Sequence, residues 1–227
     1  MKVKWGSIIT DGEGKLGGHV YSHNHWGAFV RTLVTPTLVT NAYTTAVRNH
    51  FLLQLNNWKA LTAAQQDAWT AFAGRHGRTD YFGTVYYLTG QTAFISCNMN
   101  MFAIGQADFV SPGTDDVPTV DLTGSVNSTA STSKLNYVID GNPTNSNVVI
   151  IAFATALLST GINVVTTQLR QITTIALTGA NPYNKGAAWV TKYGAFSAGQ
   201  KIFVRLRQID KRSGLAGVDV DHQCVVV

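Results

Sequence analysis

Between residues 106 and 119 the spacing of apolar residues changes period, and that change limits what the chain can fold into. Beyond it lie VDLTGSV, KLNYVID, NVVIIAFATAL, TTQLRQITTIALTG, AAWVTKYGAF, QKIFVRLRQID and AGVDVDHQCVVV, separated by Asn, Gly, Pro and Ser. Short apolar runs punctuated by turn residues are strands, and about seven of them in one domain is the number a two-sheet sandwich needs. Before it, from Asn41 to Ile104, apolar residues recur three and four apart, the helical spacing. The intervening QADFVSPGTDDVPT has two prolines, one glycine and three acids with little periodicity, and reads as a linker. The chain is therefore expected to be α+β. It would have an N-terminal β-ribbon and three-helix assembly domain (1–105), a linker (106–119) and an all-β sandwich of the immunoglobulin or fibronectin kind (120–227).

The ribbon comes from GGHVYSHNHWGAFVRTLVT, which alternates small, aromatic and β-branched residues and reads as two strands turned near Trp26 and Gly27, with Pro36 closing the section. In the first helix Val47, Phe51, Gln54 or Leu55, and Trp58 share a face, leaving Arg48, Asn49 and Asn56 outside. The second starts at Thr62, with Gln65 placed to complete a capping box, and is expected to stop at Gly74. Its stripe is Trp69, Phe72 and Ala73, and a short connection predicts an antiparallel pair in which Trp58 meets Trp69. Thr89 caps a third helix with Phe94, Cys97, Met101 and Ile104 on one face, ended by Gly105. In the last section VVIIAFATALL, from Val148 to Leu158, is too short to span a bilayer and reads as a buried strand.

Charged residues make up 13% of the chain, about half of what soluble domains usually carry. Thr, Ser, Asn and Gly take their place, and these can be covered by another surface without the desolvation cost of a charge. The net charge of +5 comes from 17 Lys and Arg against 12 acids, of which only Glu13 is a glutamate. The basic residues are dispersed, so no nucleic-acid footprint is visible and no nucleic acid is expected as a partner. Cys97 and Cys224 are expected as two buried free thiols in a reducing compartment. The opening MKVKWGSIITDGEGKLGG lacks the apolar core of a secretory signal, and no membrane partner is expected.

Three histidines fall within seven residues. On a strand, His19, Tyr21, His23 and His25 point to one side, and three imidazoles with an open position can hold a catalytic zinc. A ligating imidazole needs an acceptor to fix its tautomer, and no acid occurs between Glu13 and Asp67, so an exposed polar strand face is the favoured reading. His50, His76 and His222 are isolated in sequence. No G-x-S-x-G elbow is present, and GEGKLGG lacks phosphate-loop and dinucleotide spacing. Asp115 with Asp116, and Asp219 with Asp221, are read as solvated acids, too few for calcium.

In AGQKIFVRLRQIDKRSGLAG, Ile202, Val204 and Leu206 face inward by period two, and the stretch resembles the last two strands of fibronectin type III domains. GKLGGHVYSHNHWGAFVRTLVTP, then AVRNHFLLQLNNWKALTAAQQDAWTAFA with Trp58, Leu61, Thr62, Gln65 and Trp69, then YYLTGQTAF, resembles a group of bacterial and bacteriophage-associated structural proteins. That resemblance brings no catalytic residues. LNNWKALTAAQQDAWTAFA is also similar to an HMG box, but from Leu61 to Gln106 only Arg75 and Arg78 are basic, too few for DNA bending. The expected function is a non-enzymatic virion component, a tail, neck or capsid-decorating subunit, assembled in the host cytoplasm without a cofactor. It would contact further copies of itself or other virion proteins through Trp5, Tyr21, Trp26 and Phe29. Two alternatives stand beside it. One is a glycan- or ligand-binding module using Tyr183, Trp189 and Tyr193, unless Trp189 is a core residue; the other is a zinc enzyme at His19, His23 and His25.

Overall fold

A computed structural model describes residues 13–24, 27–35, 41–79, 82–141, 143–165 and 167–227. The chain forms two compact units, Met1–Thr45 and Ala46–Val227.

The first unit is an antiparallel sheet of β1 (Gly14–Leu16), β2 (His19–Asn24) and β3 (Gly27–Thr32), in that order. The strand the sequence reading lacked is β1. The two-residue Gly17–Gly18 loop creates it, with Gly17 at φ +57, the sign that such a loop requires and that glycine adopts without strain. Leu33 N–H closes back on Gly18 O at 2.8 Å.

α1 (Ala42–Ala60), whose first turn belongs to the first unit and the rest to the second, starts at Asn41, whose side chain accepts from Thr44 N–H at 2.8 Å. α2 (Ala63–Arg75) has the full capping box: Gln65 N–H donates to Thr62 Oγ1, and Thr62 N–H to Gln65 Oε1 at 2.9 Å. It runs one residue past Gly74. A short hairpin, β4 (Arg78–Thr79) with β5 (Val85–Tyr86), leads to α3 (Gly90–Ala103), capped by Thr89 and followed by Gly105 at φ +70. α2 and α3 cross so closely that a Cβ on Gly90 would lie 2.5 Å from Thr70 Oγ1 and 2.9 Å from its backbone nitrogen. Their core is Trp69, Phe72, Ala73, Ala93, Phe94 and Cys97. Trp58 and Trp69 both rest on Phe94, with centroids 5.6 and 5.4 Å away, so the two indoles meet through an intermediary.

The remainder is sandwich-like, with two antiparallel sheets. One holds β6 (Gly124–Thr129), β7 (Lys134–Ile139) and β10 (Tyr183–Asn184) in the order β10-β7-β6. The other holds β8 (Thr144–Ala154), β9 (Arg170–Thr178), β11 (Lys201–Asp210) and β12 (Val220–Val225) in the order β12-β11-β8-β9. The molecule is thus α+β with a β-sandwich-like C-terminal part. Ile202, Val204 and Leu206 of β11 point into the core with Ile150 and Ala152 of β8, while Lys201, Phe203, Arg205 and Arg207 stay partly exposed. One expected strand is instead a helix, α4 (Gly186–Tyr193). Trp189 and Tyr193, one turn apart, close the core: the indole stacks on Phe196 at 4.2 Å and donates to Thr155 O, and the Tyr193 hydroxyl donates to Ala154 O.

The β11–β12 connection ties the helices to the sheets. Leu215 packs into the helical cluster, Asn100 Nδ2 donates to Gly214 O at 2.8 Å, and buried Asp210 accepts from Arg212 through its backbone N–H, Nε and Nη2. Residues 106–119 have no regular structure and are held at many points. Trp69 Nε1 donates to Val110 O, Phe109 exchanges two hydrogen bonds with the Asn98 side chain, and Ser213 Oγ donates to Asp116 O.

Candidate assembly surfaces

The register of the ribbon sets what each face carries. Tyr21 lies opposite Val30 and Ser22 opposite Phe29, so side-chain alternation puts Tyr21 and Phe29 on opposite faces. Leu16, His19, His23, Ala28 and Val30 accompany Tyr21; Lys15, Val20 and Arg31 accompany Phe29. Both faces therefore have an apolar centre with a polar rim. None of the described residues from Glu13 to Thr45 is buried. Three strands become stable when one face is covered, and here both faces carry apolar residues that are at most half-buried. Within this sheet β3 pairs only with β2 among the described residues, which makes it an edge strand of the ribbon.

Of the four interface candidates, Tyr21 and Phe29 occupy the ribbon, half-buried, while Trp5 and Trp26 lie outside the described residues. His19 and His23 are exposed on the Tyr21 face, and His25 lies outside the described residues. Among the described residues no three His, Cys, Asp or Glu side chains gather as a metal site.

Two further stretches present large apolar side chains. α1 exposes Tyr43, Phe51, Leu52 (56%) and Leu53, and its buried residue is Gln54 rather than a leucine. Three successive apolar residues sweep about 200° of a helix, so α1 is apolar on sides that its own domain leaves open. The β4–β5 hairpin exposes Phe82 (87%), Val85, Tyr86 and Tyr87. Beyond Tyr87 every exposed large apolar residue described is a valine.

A buried polar network anchors α1. Gln54 Nε2 donates to Asp108 Oδ2 at 2.7 Å, and Asn98 Nδ2 donates to Gln54 Oε1 at 3.1 Å. His50 Nε2 lies 3.2 Å from Asp108 Oδ1, and its ring stacks on Phe102 at 4.3 Å. This pair has the form of a base and its orienting acid, but its described neighbours are amides and an aromatic ring, none of them a nucleophile. The other two histidines that looked isolated have partners as well: His76 Nε2 lies 3.1 Å from Asp115, and His222 Nε2 lies 3.2 Å from Leu122 O. Partners 39 to 100 residues away leave no signal in local spacing.

The acids read as solvated are taken up by arginines. Arg207 grips Asp219 through Nε and Nη2 at 2.7 and 2.6 Å, and Arg205 grips Asp221 at 2.6 and 2.8 Å. Arg75 and Arg212 hold Asp115 and Asp116 at 2.9 and 3.1 Å. The Arg205 guanidinium holds the Asp221 carboxyl below the usual carboxylate range, and Arg75, then His76, do so at Asp115. Paired in this way, these carboxylates are not left over for a hard cation. The aromatic set proposed for a glycan is also spent on the core: Tyr183 and Trp189 are buried, and Tyr193 is half-buried with its hydroxyl donated. Both cysteines are buried free thiols, and burial pushes Cys97 up to about 12 and Cys224 up to about 11, which makes them inert as nucleophiles. No described helix is long and apolar enough to cross a membrane.

No family model, no curated protein and no solved structure matches the chain.

Proposed function

We propose that this chain is a non-enzymatic assembly protein, and that its setting is a bacteriophage virion, as a tail, neck or capsid-decorating subunit built in the host cytoplasm. The observation that carries the assembly reading is the ribbon: a regular three-stranded sheet from Gly14 to Thr32 in which no described side chain is buried. The phage setting is supported by the sequence resemblance of residues 14–90 alone.

In this reading neighbouring copies cover the Tyr21 and Phe29 faces. Each such side chain, once fully buried, contributes roughly 1.5–3 kcal/mol, so several are needed to exceed the several kcal/mol that association costs. The sandwich keeps its own core and packs or projects as a rigid body. Multi-angle light scattering across a concentration series tests this. The full chain should run as a multiple of its own mass, and the double variant Tyr21→Asp, Phe29→Asp should run as a folded monomer. A full chain that stays monomeric at its solubility limit overturns self-assembly.

A further inference from the structure

A cleft of about 840 Å³ lies between the ends of α2 and α3 and the β11–β12 connection, and ion pairs fix both its walls. Arg75 is held by Asp115 on one side, and Arg207 by Asp219 on the other. Arg78 also lines the cleft and is bound differently. Its Nη2 donates to Ser96 Oγ at 3.1 Å, and it has no carboxylate partner among the described residues. The rest of its fork of N–H donors has no hydrogen-bond partner among the described residues. Ser96 accepts from Arg78, and its own hydroxyl proton has no acceptor among the described residues. Asn100, one turn further along α3, fixes its amide by donating to Gly214 O. Among the described residues the charges therefore do not cancel: Arg75 and Arg207 each have a carboxylate partner, and Arg78, without one, sits beside the Ser96 hydroxyl.

We propose that this cleft is an oxyanion site, in which Arg78 and Ser96 together receive a phosphate or carboxylate group. The planar fork of a guanidinium matches the paired oxygens of either group, and bonds between charged partners are about twice as strong as neutral ones. The flanking pairs supply a set geometry without adding charge. A cleft walled by protein concentrates the field of a cation such as Arg78, which lacks a carboxylate partner among the described residues. The Arg78 charge also acts inward, where it partly offsets the larger upward push that burial gives the Cys97 thiol. The site is independent of the assembly reading and would be present in a monomer or in a particle.

Equilibrium dialysis of the full chain against radiolabelled inorganic phosphate, and separately acetate, with ionic strength held constant by chloride, tests it. Saturable binding of one anion per chain is expected, weakened roughly tenfold or more by Arg78→Gln and a few-fold by Ser96→Ala. Arg48→Gln removes an exposed cation on α1 and should leave binding unchanged. Binding of phosphate alone assigns a dianion, and binding of both assigns a single carboxylate-sized group. No saturable binding of either anion, or binding that Arg78→Gln leaves intact, overturns the proposal.

Discussion

β11 and the β2–β3 pair have the same extended backbone and opposite surroundings. Along β11 buried residues alternate with half-buried ones, and Ile202, Val204 and Leu206 meet Ile150 and Trp189 in one continuous core. Along β2 and β3 the described side chains are half-buried at best. The sandwich has enclosed its own apolar surface; among the described residues the ribbon has not. Exposed side chains follow the same division, with tyrosine, phenylalanine and leucine up to Tyr87 and only valine after it among the described residues. Secondary structure alone does not tell where stability comes from.

The largest effects that would sharpen this contrast lie in the sandwich. Trp189→Ala should cost about 3–5 kcal/mol in denaturant unfolding, by the cavity it leaves and the hydrogen bond it removes from Thr155 O. A comparably small loss would mean that the core is less closed than its packing indicates. Next comes the α1 anchor: Gln54→Leu leaves Asn98 and Asp108 short of a partner inside the protein and should cost about 1–3 kcal/mol. Thr62→Ala should cost about 1 kcal/mol through the lost cap of α2.

The smallest effect is in the acid limb. Arg205 lowers the folded-state value of Asp221, so this pair's contribution is present above the ordinary carboxylate range and is lost as pH falls through the folded-state value. Asp221 is mostly exposed, so Arg205→Gln should lessen acid sensitivity by well under ~1 kcal/mol in urea midpoints measured from neutral to acid pH.

What was legible in the sequence was local. Thr62 with Gln65 and Thr89 announce their helices because a cap is satisfied within three residues. The inward register of β11 is visible because Ile202, Val204 and Leu206 alternate with Lys201, Phe203, Arg205 and Arg207, so that only the first set lacks charge over that stretch. α4 gives no distinct helical signal, because Trp189, Val190 and Tyr193 fit either period over so short a stretch. Gln54 was one of two residues at its helical position, and nothing nearby in sequence shows that Asn98 and Asp108 come to meet it. The arginine pairs of Asp219 and Asp221 depend on strand register, which fixes Arg205 opposite Asp221. The Arg78 cleft likewise forms where segments separated by more than a hundred residues converge.

Hydrogen exchange measured as a function of protein concentration separates the two regions most directly. Amides of β2 and β3 are expected to be protected when the chain is concentrated and to exchange freely on dilution, while those of β11 keep the same protection throughout. Ribbon amides equally slow in a dilute, monomeric sample would show that this sheet stabilises itself and needs no neighbour.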